Sequence, residues 1–216
     1  MYLYIMRHGE TEWNRERKIQ GSADIALTPL GETLAAETRD GFAEDGIRFQ
    51  RIYTSPLQRA VRTAEIIDER QHAGLRVDPR IREMSFGKYE GTPFNTDSSI
   101  DENIRNCFTV PSLYRPDPTG ESFEELYVRV KDFLENEIRP LEQDKNIENV
   151  LAVCHGAILR AFLTTIRGME LDEFWTIRQP NCSVNQIRLE NGVFVSEKEN
   201  ILYYDPEEIF CRKQKS

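Results

Sequence analysis

Five mostly apolar, β-prone residues, Tyr2 to Met6, open the chain and give way to Arg7, His8, Gly9 and a polar segment through Asn14. Such a run closed by a glycine predicts a short buried strand that ends at Met6 and delivers Arg7 and His8 to its C-terminal tip. Glu10 to Gly21 is mostly polar and reads as a loop with a turn of helix. Thr28 as N-cap, Pro29 at the first helical position, and Leu30, Leu34 and Phe42 near one face predict a helix to about Asp45, stopped by Gly46. Arg51 to Thr54 predicts a second strand. Ser55-Pro56-Leu57-Gln58 then has the form of a capping box, with Leu57, Ala60, Val61, Ala64 and Ile67 as the apolar stripe of the following helix.

Leu75 to Val77 predicts a third strand. Asp78 to Gly120 is rich in turn residues, and a structureless loop of that length is uncommon inside a compact domain, so it reads as an excursion over the sheet with a short helix near Asp101 to Cys107. Ser122 and Glu125 make a second capping box, followed by Phe123, Leu126, Val130, Phe133 and Leu134 at helical spacing to about Leu141. Asn149 to Cys154 predicts a buried strand tipped by His155 and Gly156, and Ala157 to Ile166 a mainly apolar helix. Val184 to Leu189 and Val193 to Glu197 flank Asn191-Gly192, a two-residue hairpin signal. The tail beyond Tyr203 is charged and expected to be loosely held. Alternating strands and helices imply an α/β fold: a three-layer α/β/α sandwich with a mainly parallel sheet and right-handed crossovers. One domain over residues 1–216 is expected, with the excursion at about 78–120 shaping a pocket. Ligands of such sheets bind at the C-terminal ends of strands, where Arg7, His8, the segment leading to Arg59, and His155 would converge.

Composition narrows the partners. A net charge of −9 and a pI near 5.0 argue against nucleic acid or an anionic membrane, since both select a basic face. No apolar stretch approaches the roughly 20 residues of a membrane helix, and Arg7 interrupts the first apolar run, so the expected location is the cytoplasm. Cys107, Cys154, Cys182 and Cys211 form no C-x-x-C pair, which favours reduced, mostly buried thiols over a zinc site or disulfides. A homodimer is allowed.

Several stretches, in this order, carry a resemblance: RHGETEWN at 7–14, IQG at 19–21, LTPLG at 27–31, TSPLQRAVRTAE at 54–65, REMSFGKYEG at 82–91, GES at 120–122 and CHGAILRAFL at 154–163. Together the chain resembles the histidine phosphatase superfamily, also called the phosphoglycerate mutase-like family. The resemblance implies that His8 is the phosphorylated histidine and that Arg7, Arg59 and His155 form the phosphate pocket. It further implies that Asn14, Gln20, Gly21 and Gly156 contact ligand and that Glu83 is the general acid.

The residue chemistry agrees. A guanidinium beside an imidazole suits an anionic substrate, and Gly9 would let backbone amides approach it. A neutral His8 can attack phosphorus if its other nitrogen donates to a backbone carbonyl. Arg7 and Arg59 can grip equatorial oxygens, His155, made cationic by the bound phosphate, a third, and the Gly156 amide adds a donor at a helix N-terminus. That cluster does the work of a metal ion, so neither metal nor cofactor is expected. His72, at a helix end, reads as a surface residue. For Arg62 and Arg160, solvated and supporting roles both stay open. Trp175 reads as packing, and Trp13 as packing or pocket wall. Cys154 reads as a core thiol, because neighbours on a strand face opposite ways. The expected activity is hydrolysis of small phosphorylated metabolites through a phosphohistidine. The alternatives are a cofactor-dependent phosphoglycerate mutase, which would need more cations in the 78–120 excursion than it carries, and a non-catalytic phospho-ligand-binding module.

Overall fold

A computed structural model of the chain describes residues 1–94 and 100–207. Its strands are β1 (Tyr2–Arg7), β2 (Arg51–Thr54), β3 (Leu75–Val77), β4 (Asn149–Cys154), β5 (Val184–Glu190) and β6 (Val193–Ile201). Its α-helices are α1 (Glu12–Arg15), α2 (Pro29–Glu44), α3 (Gln58–Asp68), α4 (Glu102–Thr109), α5 (Phe123–Phe133) and α6 (Gly156–Arg167). The strands form one sheet in the order β3-β2-β4-β1-β5-β6, in which β1 to β4 are parallel and β5 and β6 antiparallel.

Two cores follow from the alternation of side chains along the inner strands. Leu3, Ile5, Val150 and Ala152 face α5 and α6 through Leu126, Phe133 and Phe162. Tyr4, Met6, Leu151 and Val153 face α2 and α3 through Leu34, Phe42 and Ala64. Burial on both faces explains why these strands read as continuous apolar runs. The architecture is the expected three-layer sandwich. From β1 the chain proceeds to α2 on one face, and from the neighbouring β4 to α6 on the other, so a crevice opens at their C-terminal ends. Arg7 pairs with Cys154 there, which brings His8 and His155 to the same edge.

Local chemistry was read correctly where it stays local. Thr28 accepts the Gly31 amide at 3.0 Å, Ser122 and Glu125 form their reciprocal box, and Asn191 and Gly192 take the two positive φ angles of a tight hairpin. The box expected at Ser55 does not form. Helix α3 begins at Gln58 after Leu57 as N-cap: the Ser55 hydroxyl meets His155 Nε2 at 2.6 Å and accepts the Leu57 amide at 3.3 Å, not that of Gln58. Asp24 caps the helix from another segment: its carboxylate accepts the Gln58 amide at 2.7 Å, and the Gln58 side chain returns to the Asp24 carbonyl at 2.6 Å. Strand β1 runs one residue beyond Met6. Helix α5 ends at Phe133, and its apolar stripe continues through a π turn at Leu134–Ile138 and a 3-10 turn at Arg139–Gln143. Pro140 lacks the amide that a regular helix needs there.

The short helix of the excursion is α4, capped by Asp101. Cys107, Cys154 and Cys182 are free and buried; Cys211 lies outside the described residues, as does the tail after residue 207. Among the described residues no helix is long and apolar enough to cross a membrane.

Candidate active site

His8 directly follows β1 and is 2% exposed. Its amide donates to the Cys154 carbonyl at 2.9 Å, extending the β1–β4 ladder by one residue and fixing the backbone. Its Nδ1 lies 2.6 Å from the Gly9 carbonyl, which can only accept, so Nδ1 carries the proton and Nε2 keeps its lone pair. Burial, then the charges of Arg59 and Arg7, hold His8 well below the usual histidine range and therefore neutral. Asn181, just before β5, donates to the carbonyls of His8 and Gly9 and to Asn14 Oδ1, each at 3.1 Å.

Gly9 serves a different need from the one expected. A Cβ there would sit 2.5 Å from the Gly31 carbonyl oxygen, so the space beside it belongs to the first turn of α2 and not to a ligand. That turn is drawn in by the Thr28 amide, which donates to the Glu10 carbonyl at 2.8 Å.

Arg59, fully buried in the first turn of α3, donates Nη2 to Gly21 at 2.8 Å, Nη1 to Ala23 at 2.6 Å and Nε to His155 Nδ1 at 3.1 Å. Arginine has no acceptor, so His155 is neutral with its proton on Nε2, facing Ser55. Burial and Arg59 push His155 well below the usual histidine range. Its ring lies 5.1 Å from that of His8 but is absent from the cavity wall. The expected third grip on phosphate is therefore not in place in this arrangement: both ring nitrogens are engaged by protein, and His155 backs Arg59.

Because the His155 ring is occupied in this way, it leaves the start of α6 without a side-chain cap. Glu83 supplies one from the excursion: its carboxylate accepts the Met84 amide at 2.9 Å, Ala157 at 3.1 Å and Ile158 at 3.2 Å. The turn bearing Glu83 is held in turn by Arg129 of α5. Arg129 donates to the carbonyls of Arg80 (2.6 Å) and Arg82 (2.7 Å) while gripping both oxygens of buried Glu121.

A cavity of about 500 Å³ opens over these groups. Its floor holds Arg7, His8, Asn14, Gln20, Gly21, Arg59, Glu83 and Gly156, which is every predicted site residue except His155. The Asn14 side-chain oxygen accepts the Thr11 amide at 3.1 Å and the Gln20 side-chain oxygen accepts the Thr11 hydroxyl at 2.9 Å, so their NH2 groups remain as donors at the cavity. Arg7 donates Nη1 to the Gln179 carbonyl at 2.7 Å, and its Nε is buried without a partner.

The upper wall was largely missed. It contains Trp13, Arg17, Lys18, Phe86, Phe94, Phe108, Arg160 and Trp175. Residues 17–19 arrive there by pairing with 91–94: the Ile19 amide donates to Thr92 at 3.0 Å and the Phe94 amide to Arg17 at 2.6 Å. Trp13 matches its expected place as packing or pocket wall, and Arg160 had a usable signal in its position one helical turn after Gly156. Trp175 both packs, stacking near Phe108, and lines the cavity. The five basic residues of the excursion are turned away. Arg80 pairs with Asp78, Asp132 and Glu137, Arg82 with Glu121, and Arg105 with Glu102; Lys88 lies over Tyr89, and Arg115 bonds the carbonyls of Ser112 and Tyr114. Arg62 is an exposed partner of Glu32, and His72 is exposed.

The arrangement has relatives. The family described as the histidine phosphatase superfamily (branch 1) matches residues 3–202. A protein of Hydrogenobacter thermophilus named "Putative phosphoserine phosphatase 2" is 34% identical over 201 residues, 93% of each chain. A Shigella boydii protein named "Probable phosphoglycerate mutase GpmB" is 34% identical over 196 residues, 91% of this chain and 88% of that one. Among solved structures, a mutant phosphoserine phosphatase of Entamoeba histolytica in complex with phosphoserine superposes with a TM-score of 0.76. It is 27% identical and is matched over 92% of this chain and 96% of its own.

Proposed function

This chain belongs to the histidine phosphatase superfamily, and on that premise we propose that it hydrolyses small phosphomonoesters through a phosphorylated His8. It is a phosphatase of small metabolites, as two of its named relatives suggest. The observation that carries the mechanism is a neutral His8 with Nδ1 tied to the Gly9 carbonyl and Nε2 free, at a cavity where Arg7, Arg59 and Arg160 make no ion pair among the described residues.

In the first step the Nε2 lone pair attacks phosphorus while the bond to the ester oxygen breaks, and Glu83 gives that oxygen a proton. In the second, water attacks the phosphohistidine, Glu83 takes its proton, and the phosphorus–nitrogen bond breaks to return His8. Arg7 and Arg59, with the free amide groups of Asn14 and Gln20, hold the phosphoryl oxygens. A phosphate dianion beside the two imidazoles opposes the burial and guanidinium charges that keep His155 neutral; a proton gained at Nδ1 would break the bond from Arg59 Nε and free His155 to share in binding.

Transfer back to substrate, as in a mutase, is supported by the name of one relative. The orientation of the excursion favours hydrolysis, because none of its five basic residues reaches the cavity to retain a bisphosphorylated intermediate. A purely binding role would normally follow loss of a site residue, and all nine are present. The test is a brief incubation with a labelled phosphomonoester followed by denaturing quench. Wild type should retain an acid-labile, base-stable phosphoryl group and release inorganic phosphate, and His8→Ala should do neither. Equal labelling of the two proteins, or interconversion of phosphoglycerate isomers in place of phosphate release, would sink the proposal.

A further inference from the structure

Four arginines line the cavity; with Arg17 exposed to solvent at the mouth, a phosphoryl group held by Arg7 and Arg59 leaves one inner guanidinium without a counter-charge. That one is Arg160, on the second turn of α6. Its Nη1 donates to the Gly156 carbonyl and its Nε to the Ile177 carbonyl, both at 2.8 Å. Its guanidinium carbon lies 5.0 Å from the centre of the Trp175 ring, and Trp175 is itself fixed by an indole bond of 2.6 Å to the Cys107 carbonyl. Nη2 makes no protein hydrogen bond, and no carboxylate pairs with Arg160 among the described residues. Burial, and then repulsion by Arg7, lower the pKa of this guanidinium to about 9, against the opposing charge of nearby Glu83. Holding a cation in such a place without a partner is costly, and a ligand anion removes the cost.

The position of Arg160 separates it from the phosphate grip while keeping it adjacent. A Cβ on Gly156 would stand 3.3 Å from Arg160 Nη1 and 3.8 Å from Arg7 Cζ, so the two guanidinium groups flank the same point of the floor. Glu83 is no substitute partner, since its oxygens are engaged by the α6 amides and it must carry a proton when it acts as an acid. We propose that Arg160, braced on Trp175, is a specificity-determining residue that receives a carboxylate on the alcohol half of the substrate. The site would then prefer phosphate esters of hydroxy acids to esters of neutral alcohols. This rests on the phosphomonoesterase reading. The exposed Arg17 at the mouth would steer such dianionic and trianionic esters inward.

Two phosphonates, which cannot be hydrolysed, separate binding from turnover: 3-phosphonopropionate, which has the carboxylate, and propylphosphonate, which lacks it. In calorimetry, wild type should bind the first about 10- to 100-fold more tightly, the range of one charge-assisted contact. Arg160→Gln should reduce that preference to less than about threefold while leaving propylphosphonate within about threefold of wild type, and Arg160→Lys should keep part of it. Equal losses for both ligands would make Arg160 a phosphate or structural residue and overturn the subsite. If Arg160→Gln does not fold, wild type still decides, because equal affinity for the two phosphonates overturns it as well. A wild type that shows the preference yet hydrolyses no phosphomonoester would refute the hydrolase reading and support the subsite.

Discussion

Glu83→Gln replaces one carboxylate oxygen by an amide group with almost no change of shape, which makes it a sharp probe of the proposed acid. With the amide oxygen at the Oε1 position, acceptors remain for the Met84, Ala157 and Ile158 amides, now at 2.9, 3.2 and 3.2 Å. The new NH2 faces the Ala157 amide, where Oε2 stood at 3.1 Å, so part of one bond and the charge assistance are lost. That is worth about 1–3 kcal/mol of stability. The chemical loss is larger: removing a general acid costs about 10²- to 10⁴-fold, or about 2.7–5.5 kcal/mol. The two effects differ in how they depend on the leaving group. An alkoxide needs the proton and a nitrophenolate does not, whereas a displaced α6 would harm both esters alike. kcat/KM is the quantity to compare, because it reports only steps through phosphorylation of His8 and excludes the later attack of water, in which Glu83 serves every substrate. For an alkyl phosphate kcat/KM should fall about 10²- to 10⁴-fold, and for nitrophenyl phosphate less than about tenfold. Equal losses would refute the acid role and leave Glu83 as the cap of α6.

Two further outcomes are expected. His8 and His155 are neutral in the fold with depressed pKa values, so the unfolded chain binds more protons as pH falls through about 6.5 and stability should drop below that point. Denaturant unfolding should show a slope reduced by up to about 1.4 kcal/mol per pH unit in His8→Asn relative to wild type, and wild type gaining stability on acidification would contradict the burial argument. Gly9→Ala should lower stability by about 1–3 kcal/mol or prevent folding, through contact with the Gly31 carbonyl, and an unchanged urea midpoint would show that the loop and α2 can part freely.

What the sequence determined by itself were features whose causes lie within a few residues. Apolar runs fixed β1 and β4, the Ser122–Glu125 pair started α5, and Asn191-Gly192 turned the hairpin, because side-chain alternation, capping and φ preferences act locally. The motif residues at strand tips, Arg7, His8 and His155, were equally legible, since the C-terminal edge of a parallel sheet is a place that topology alone defines. The tertiary structure decided how each was used. Ser55 met a histidine 100 positions away while Asp24 took the Gln58 amide, and that histidine, so engaged, left α6 to be capped by Glu83. Gly9 proved to be a packing glycine only when α2 was laid against it. The net charge of −9 gave no hint of unpaired arginines at the site. Pairing in space consumed Arg80, Arg82 and Arg105 on nearby carboxylates and, among the described residues, left Arg7, Arg59 and Arg160 without an ion pair, because an ion pair depends on distances of about 4 Å that only the folded chain sets.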